Sequence, residues 1–137
     1  MTAFLDPLLS GLAANLRLRN ARTGTLIAGH VEAALDSASR NRGLLGRDGL
    51  PPGHALVLGP SNAIHTFFMR FPIDVLFVAR DGRIVKLYRS LGAWRVAFAL
   101  GATLTVELPA GTIDATGTER GDHLAFEVAG SPDGAAR

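Results

Sequence analysis

Residues 60–74 read PSNAIHTFFMRFPID, and Asn62, His65, Thr66, Arg70 and Asp74 in that stretch all carry side chains capable of chemistry. They stand among the apolar residues Ile64, Phe67, Phe68, Met69, Phe71 and Ile73. Burying an imidazole or a carboxamide costs free energy unless each finds hydrogen-bond partners. The segment is therefore either a polar network satisfied within the protein or the wall of a pocket. The imidazole of His65 can act as base, donor or metal ligand near neutral pH. Asn62 and Thr66 can hold the polar group of a ligand. Pro72 holds the residue before it extended, which aims Arg70 outward. There, with Arg40 and Arg42, it can form a rim for an anion. Trp94, beside Arg95, can serve as a ligand platform or an interface anchor.

The expected ligand-binding set is Asn62, His65, Thr66, Arg70 and Asp74, bordered by Arg42 and Trp94, and the expected ligand is a small molecule or a peptide. Each member also has a bland use. His65 can be bonded to backbone on both nitrogens, Asn62 can cap a turn, Arg70 can pair with a nearby carboxylate, and Trp94 can cover the core. A hydrolase is the alternative, with His65 as base and Asp74 or Glu107 as its carboxylate partner. An interaction protein that uses its exposed aromatics is another. No residue is assigned as catalytic, and no cofactor is expected. His65 and Met69 are too few for a copper site, and His30, His54 and His123 lack zinc spacings, so no metal is expected. The chain has no P-loop, dinucleotide-binding glycine pattern, nucleophile elbow or HExxH motif.

The elements that must position these groups are short. Residues 16–20 alternate with period two and read as a strand. A turn at Arg22-Thr23-Gly24 leads into a second strand over residues 25–34. Asp36 or Ser37 can cap a helix running to about Leu45. Further strands are expected at residues 54–58, 73–79 and 103–108. Asp81-Gly82 signals a hairpin whose return strand is residues 83–89. Gly111-Thr112 opens a helical turn with Gly117 as its C-cap. Gly121-Asp122 precedes a last strand with Leu124, Phe126 and Val128 on one face, a pattern similar to the GD box of small β-barrels. Many short strands with two or three short helices predict an α+β, mostly β domain whose sheet closes or half-closes into a barrel. Residues 1–15 are expected to form an arm or short helix, 16–129 the globular domain, and 130–137 a flexible tail.

Composition narrows the function classes. At 137 residues, 47% of them hydrophobic, the chain suits one domain with a real core. The formal net charge is only +2, and Lys86 is the single lysine. The pI of about 9.9 reflects how little titrates between neutrality and the arginines. So small an excess, with one Trp and one Tyr, argues against nucleic acid. The absence of cysteine removes disulfides, thiolate metal sites and cysteine nucleophiles. It fits the cytosol and leaves a periplasmic or exported location open. The opening MTAFLDPLLSGLAAN lacks a basic n-region and is too short to span a bilayer.

Several strings together carry a resemblance: residues 16–20 with Thr23-Gly24, then RNRGLLGR, NAIHTFFMRFPIDVLFVARDGRIV, a Trp, VELPAGT and ERGDHLAF. From residue 16 to residue 128 the chain resembles the bacterial and archaeal family called domain of unknown function 192. The resemblance implies a compact, β-rich single domain. It implies no reaction. Some relatives carry secretion or lipoprotein signals, and no convincing one is read here.

Overall fold

The computed structural model describes residues 4–9 and 15–128. The tail expected at 130–137 lies outside the described residues. The elements run α1 (Asp6–Leu9), β1 (Leu16–Asn20), β2 (Leu26–Ala28), β3 (His30–Ala34), α2 (Ser37–Arg42), β4 (His54–Leu58), β5 (Ala63–His65), β6 (Ile73–Val78), β7 (Ile84–Leu91), β8 (Val96–Phe98), β9 (Leu104–Pro109), α3 (Thr112–Thr116) and β10 (Leu124–Val128). A five-stranded sheet ordered β3-β4-β9-β6-β7 forms the middle of this mostly β domain. Its strands pair antiparallel except β3 with β4.

Both faces of that sheet are covered. Val57, Leu76, Val78, Ile84, Leu104, Val106 and Leu108 pack on one side against Leu16, Leu18, Ile27, Leu124 and Phe126 of a second sheet, β10-β1-β2, and against Leu8 of α1. Leu56, Leu58, Ile73, Val75 and Phe77 pack on the other side against Leu44 and Leu50, against Ala97 of a two-stranded ribbon, β5-β8, and against Ala99 just beyond it. Coverage on two faces explains why β6 reads as a continuous apolar run and not as an alternation. All six of its residues are buried.

The expected barrel is not found. No sheet among the described residues closes, because the strands are shared among three sheets and β3 and β7 remain edges. The expected strand at 25–34 is two strands in different sheets. The amides of Gly29 and His30 both donate to the Gly53 carbonyl (2.8 and 3.0 Å), which turns the chain from one sheet to the next. The helix from Ser37 stops at Arg42, since Gly43 takes φ 45° and its N–H returns to the Ser39 carbonyl. Its start is as expected, with the Asp36 carboxylate accepting from the Ser39 amide at 2.8 Å. The Asp81-Gly82 hairpin joins β6 to β7. Gly82 has φ 94°, and a Cβ there would lie 2.9 Å from the Leu124 carbonyl, so this turn requires glycine.

Two buried carboxylates tie the layers together. Asp74 of β6 accepts from the Ser90 amide and the Ile113 amide, each at 2.8 Å, which joins the bulged end of β7 to the first turn of α3. Asp122, after the positive-φ Gly121, accepts from Asn20 Nδ2 (2.9 Å), from the Arg22 guanidinium and from the Glu119 amide (2.8 Å). The hydrogen bond from Arg22 is the main reason its carboxyl is held down to about 2. Replacing Asp74 strands two main-chain donors in the interior. Asp74→Ala is expected to lower the unfolding free energy by about 3 kcal/mol. Urea unfolding checks this, and an unchanged midpoint would contradict the assigned role.

Candidate ligand-binding cleft

The cleft begins with the pleat of β9. Leu104, Val106 and Leu108 face the core shared with the β10-β1-β2 sheet, so Thr105 and Glu107 face the other way. Thr105 is satisfied there by the Ser61 hydroxyl at 3.0 Å and the Ser61 carbonyl at 3.3 Å. Glu107 lies between Leu56 of β4 and Val75 of β6 in the sheet register. It is buried, yet no donor among the described residues reaches its carboxyl. Burial pushes that carboxyl up to about 7, while the charge of Arg47 pulls the other way. The Arg47 guanidinium itself forks onto Glu32 at 2.9 and 2.8 Å. Glu107 is thus poised between its two protonation states near neutral pH.

Above Glu107 is a cleft of about 320 Å³, with residues 40–45 on one side and residues 60–65 with Met69 on the other. Its polar lining includes Arg40, Asn41, Arg42, Ser61, Asn62 and His65. Some of these groups are occupied by the protein. Arg40 donates to the Gly59 carbonyl at 3.0 Å, and Ser61 bonds to Thr105 and to the Ala63 carbonyl. Others are not. Among the described residues, the Arg42 guanidinium and the Asn41 and Asn62 carboxamides have no hydrogen-bond or ionic partner. His65 Nδ1 accepts from the Phe67 amide at 3.2 Å, and the ring stacks on Phe67 with centroids 4.8 Å apart. With Nδ1 an acceptor, the proton of the neutral ring is on Nε2, which is left as a donor.

The structure brings Arg42, Asn62 and His65 of the expected set to one cleft and distributes the others elsewhere. Thr66 is buried and works for the fold. Its hydroxyl donates to the Gly92 carbonyl at 2.6 Å and accepts from the Arg95 amide at 2.9 Å. Arg70 is outside the lining and pairs with Asp48 at 2.8 Å. Asp74 points to the face opposite Glu107, with each carboxylate oxygen holding a main-chain amide. Trp94 is exposed beyond the lining, stacked on Phe67 at 5.6 Å and edge-on to Phe68 at 4.6 Å.

The expected partnership of His65 with Asp74 is therefore not formed, and the β6–β9 register prevents Asp74 and Glu107 from acting as a pair. No carboxylate among the described residues lies within hydrogen-bond distance of His65. Nor do the described residues contain a group of three or more His, Cys, Asp or Glu arranged to hold a metal. His30 and His54 stack on each other across β3 and β4 at 4.7 Å.

Glu107 matters more to this cleft than its residue type alone suggested. The signal was present in TLTVEL, whose period places Thr105 and Glu107 together on one face of a strand that is otherwise apolar.

A raised carboxyl pKa makes stability depend on pH in a definite direction. Below the ordinary value of 4.5 the group is protonated in both folded and unfolded chains. Between 4.5 and about 7 the folded chain holds a proton that the unfolded chain has released. Stability is therefore lost as pH rises through that window. Glu107→Gln escapes this cost. It is expected to be more stable than the parent by roughly 2–3 kcal/mol above the window and equal to it below. Urea unfolding across pH tests this, and parallel curves for the two proteins would refute it.

Comparison with known proteins agrees with this architecture. The family described as Uncharacterized ACR, domain of unknown function 192, matches residues 18–126. A UPF0127 protein of Thermococcus sibiricus is 36% identical over 120 residues, covering 81% of this chain and 75% of the relative. Another from Thermococcus gammatolerans is 31% identical over 114 residues, covering 80% and 74%. A solved structure from Sinorhizobium meliloti, described as a proposed transcription regulator, aligns with TM-score 0.69 and 26% identity over 81% of this chain and 91% of that one. A protein of unknown function from Novosphingobium aromaticivorans aligns with TM-score 0.69 and 20% identity over 80% and 81%, and so shares the fold. The chain belongs to the domain of unknown function 192 family.

Proposed function

We propose that the protein is a binding module that takes a small polar ligand in the cleft above Glu107. The observation that supports this most is the Glu107 carboxyl itself, buried and without a donor from the described residues. A buried carboxyl in that state is expensive. A ligand hydroxyl or amine would relieve it by donating a hydrogen bond. Arg42 and Asn62, unpartnered on the cleft walls, complement the other end of such a ligand. Arg42 suits a carboxylate or another anionic acceptor, and Asn62 and His65 Nε2 suit hydroxyls or carbonyls. Hydroxy acids, amino acids and sugar acids combine these features. The cleft volume is at the small end of ligand pockets, which fits molecules of that size.

A DNA-reading role, suggested by the description of the Sinorhizobium meliloti structure, is less well supported here. The helices α1, α2 and α3 have four, six and five residues, which is short for a recognition helix. Arg17, Arg19, Arg22, Arg47, Arg70 and Arg89 are ion-paired, and the formal net charge is only +2, so there is no strong basic excess of the kind that binds phosphate backbones.

The test is a thermal-shift screen of hydroxy acids, amino acids, sugar acids and nucleotides, followed by calorimetry on any hit. Glu107→Gln is expected to weaken binding by about 10- to 100-fold, and Arg42→Ala by about tenfold, with the fold unchanged. No hit for the parent, or a hit whose affinity ignores both substitutions, would overturn the reading.

A further inference from the structure

A second feature of the structure lies outside the cleft. The β5-β8 ribbon pairs Ala63 with Phe98, Ile64 with Ala97 and His65 with Val96. Its inner face carries Ala97, and the buried Ala99 follows on the same side. The period of two then sends Val96, Phe98 and Leu100 outward, where they are 64%, 56% and 84% exposed. The row continues through the stacked rings of His65, Phe67 and Trp94 to Phe68, with Trp94 60% and Phe68 70% exposed. Five large apolar side chains thus share one ridge. Water-exposed patches of this kind mark interaction sites.

Two further observations bear on what the ridge meets. Phe68 and Trp94 both hold positive φ, 66° and 65°, a conformation that costs bulky residues energy. Ser90, at the end of β7, is the other non-glycine residue with positive φ among the described residues, whereas the Phe68 and Trp94 rings stay exposed in spite of the strain. In addition, residues 60–73 and 84–103, which build the ridge, contain Arg70, Lys86, Arg89 and Arg95 and no Asp or Glu. Arg70 and Arg89 are neutralised by Asp48 and Asp114. Lys86 reaches the Phe98 carbonyl at 3.0 Å and lies 5.1 Å from the centre of the Phe98 ring. The Arg95 guanidinium has no partner among the described residues.

We propose that this ridge docks on the surface of an anionic lipid bilayer. Phe68, Trp94, Phe98 and Leu100 enter the interface, and Lys86 and Arg95 meet the headgroup phosphates. Charge complementarity selects an anionic partner. It also disfavours a second copy of the chain, because ridge against ridge would set Lys86 and Arg95 of one copy against those of the other, while Asp48 and Asp114 are already engaged by Arg70 and Arg89. Shape selects lipid over an acidic peptide. Side chains this exposed stand proud of the surface and offer a peptide no groove, whereas a bilayer deforms around them. The residues of the ridge are those expected at a membrane interface, an aromatic and apolar tip with cations behind it. The proposal does not depend on the cleft binding a ligand.

Trp94 is the only tryptophan, so its emission reports on the ridge. The intact chain is mixed with vesicles of phosphatidylcholine alone and of equimolar phosphatidylcholine and phosphatidylglycerol, at low and high salt. Sedimentation with the mixed vesicles and a blue shift of Trp94 are expected, with binding at least about tenfold weaker to phosphatidylcholine alone. Lys86→Glu combined with Arg95→Glu is expected to abolish the preference for the anionic vesicles. Leu100→Ser, at a position 84% exposed, is expected to weaken binding several-fold without changing the melting temperature. Failure to sediment at low salt would overturn the proposal. So would a blue shift that depends on protein concentration alone, which would indicate a second copy, or one given by an acidic peptide and not by vesicles.

Discussion

Strand β9 runs through the middle of a sheet covered on both faces, and its pleat forces alternate side chains into two different environments. On one face it supplies Leu104, Val106 and Leu108 to a dry core. On the other, the same geometry commits Thr105 and Glu107 to a region where water is scarce. Thr105 is rescued by Ser61, but Glu107 has no such partner among the described residues. A carboxyl mostly withdrawn from water, with no donor among the described residues, is costly to hold charged, and the cleft is the space that reaches it. Its pKa near 7, the proximity of Arg47 and the unpartnered walls of Arg42 and Asn62 all bear on how that cost is relieved.

The segment from Pro60 to Asp74 shows how closely function and scaffold can be interleaved. Asn62 and His65 face the cleft, Thr66 fastens the ribbon to the loop after β7, and Asp74 fastens β7 to α3 from the other side of the sheet. Phe67 and Phe68, between them, turn toward Trp94 and the exposed ridge. Thr66 serves as the pivot, since its buried hydroxyl and main chain hold the Gly92–Arg95 turn against β5. The cleft and the ridge therefore share one ribbon, and His65 joins them by lining the first and stacking on Phe67 beside the second.

Much of the fold could be read from local pattern. The strand at residues 16–20 follows from alternation, those at 54–58 and 73–78 from short apolar runs, and the Asp81-Gly82 hairpin, the Asp36 cap and the Gly117 stop from turn and capping chemistry. Other features were hidden because they depend on distant contacts. β5 and β8 have three residues each, and β8 shows apolar side chains to solvent, so their pattern does not mark a strand. The break at Gly29 depends on a carbonyl from Gly53. Barrel closure could not be judged without knowing which edges meet. The site was legible in the same partial way. Residue type identified the 60–74 stretch as unusual, and Asn62 and His65 do line the cleft. Residue type could not separate Asp74, whose amide partners come from Ser90 and Ile113, from Glu107, which has none.

The most direct test of the account is a carboxyl-carbon NMR titration of Glu107 in the intact protein. The account requires an apparent pKa of about 7 in the free protein, and a change in that value when a ligand with a donor group occupies the cleft. A pKa in the ordinary range for glutamate, indifferent to every compound that binds, would contradict it.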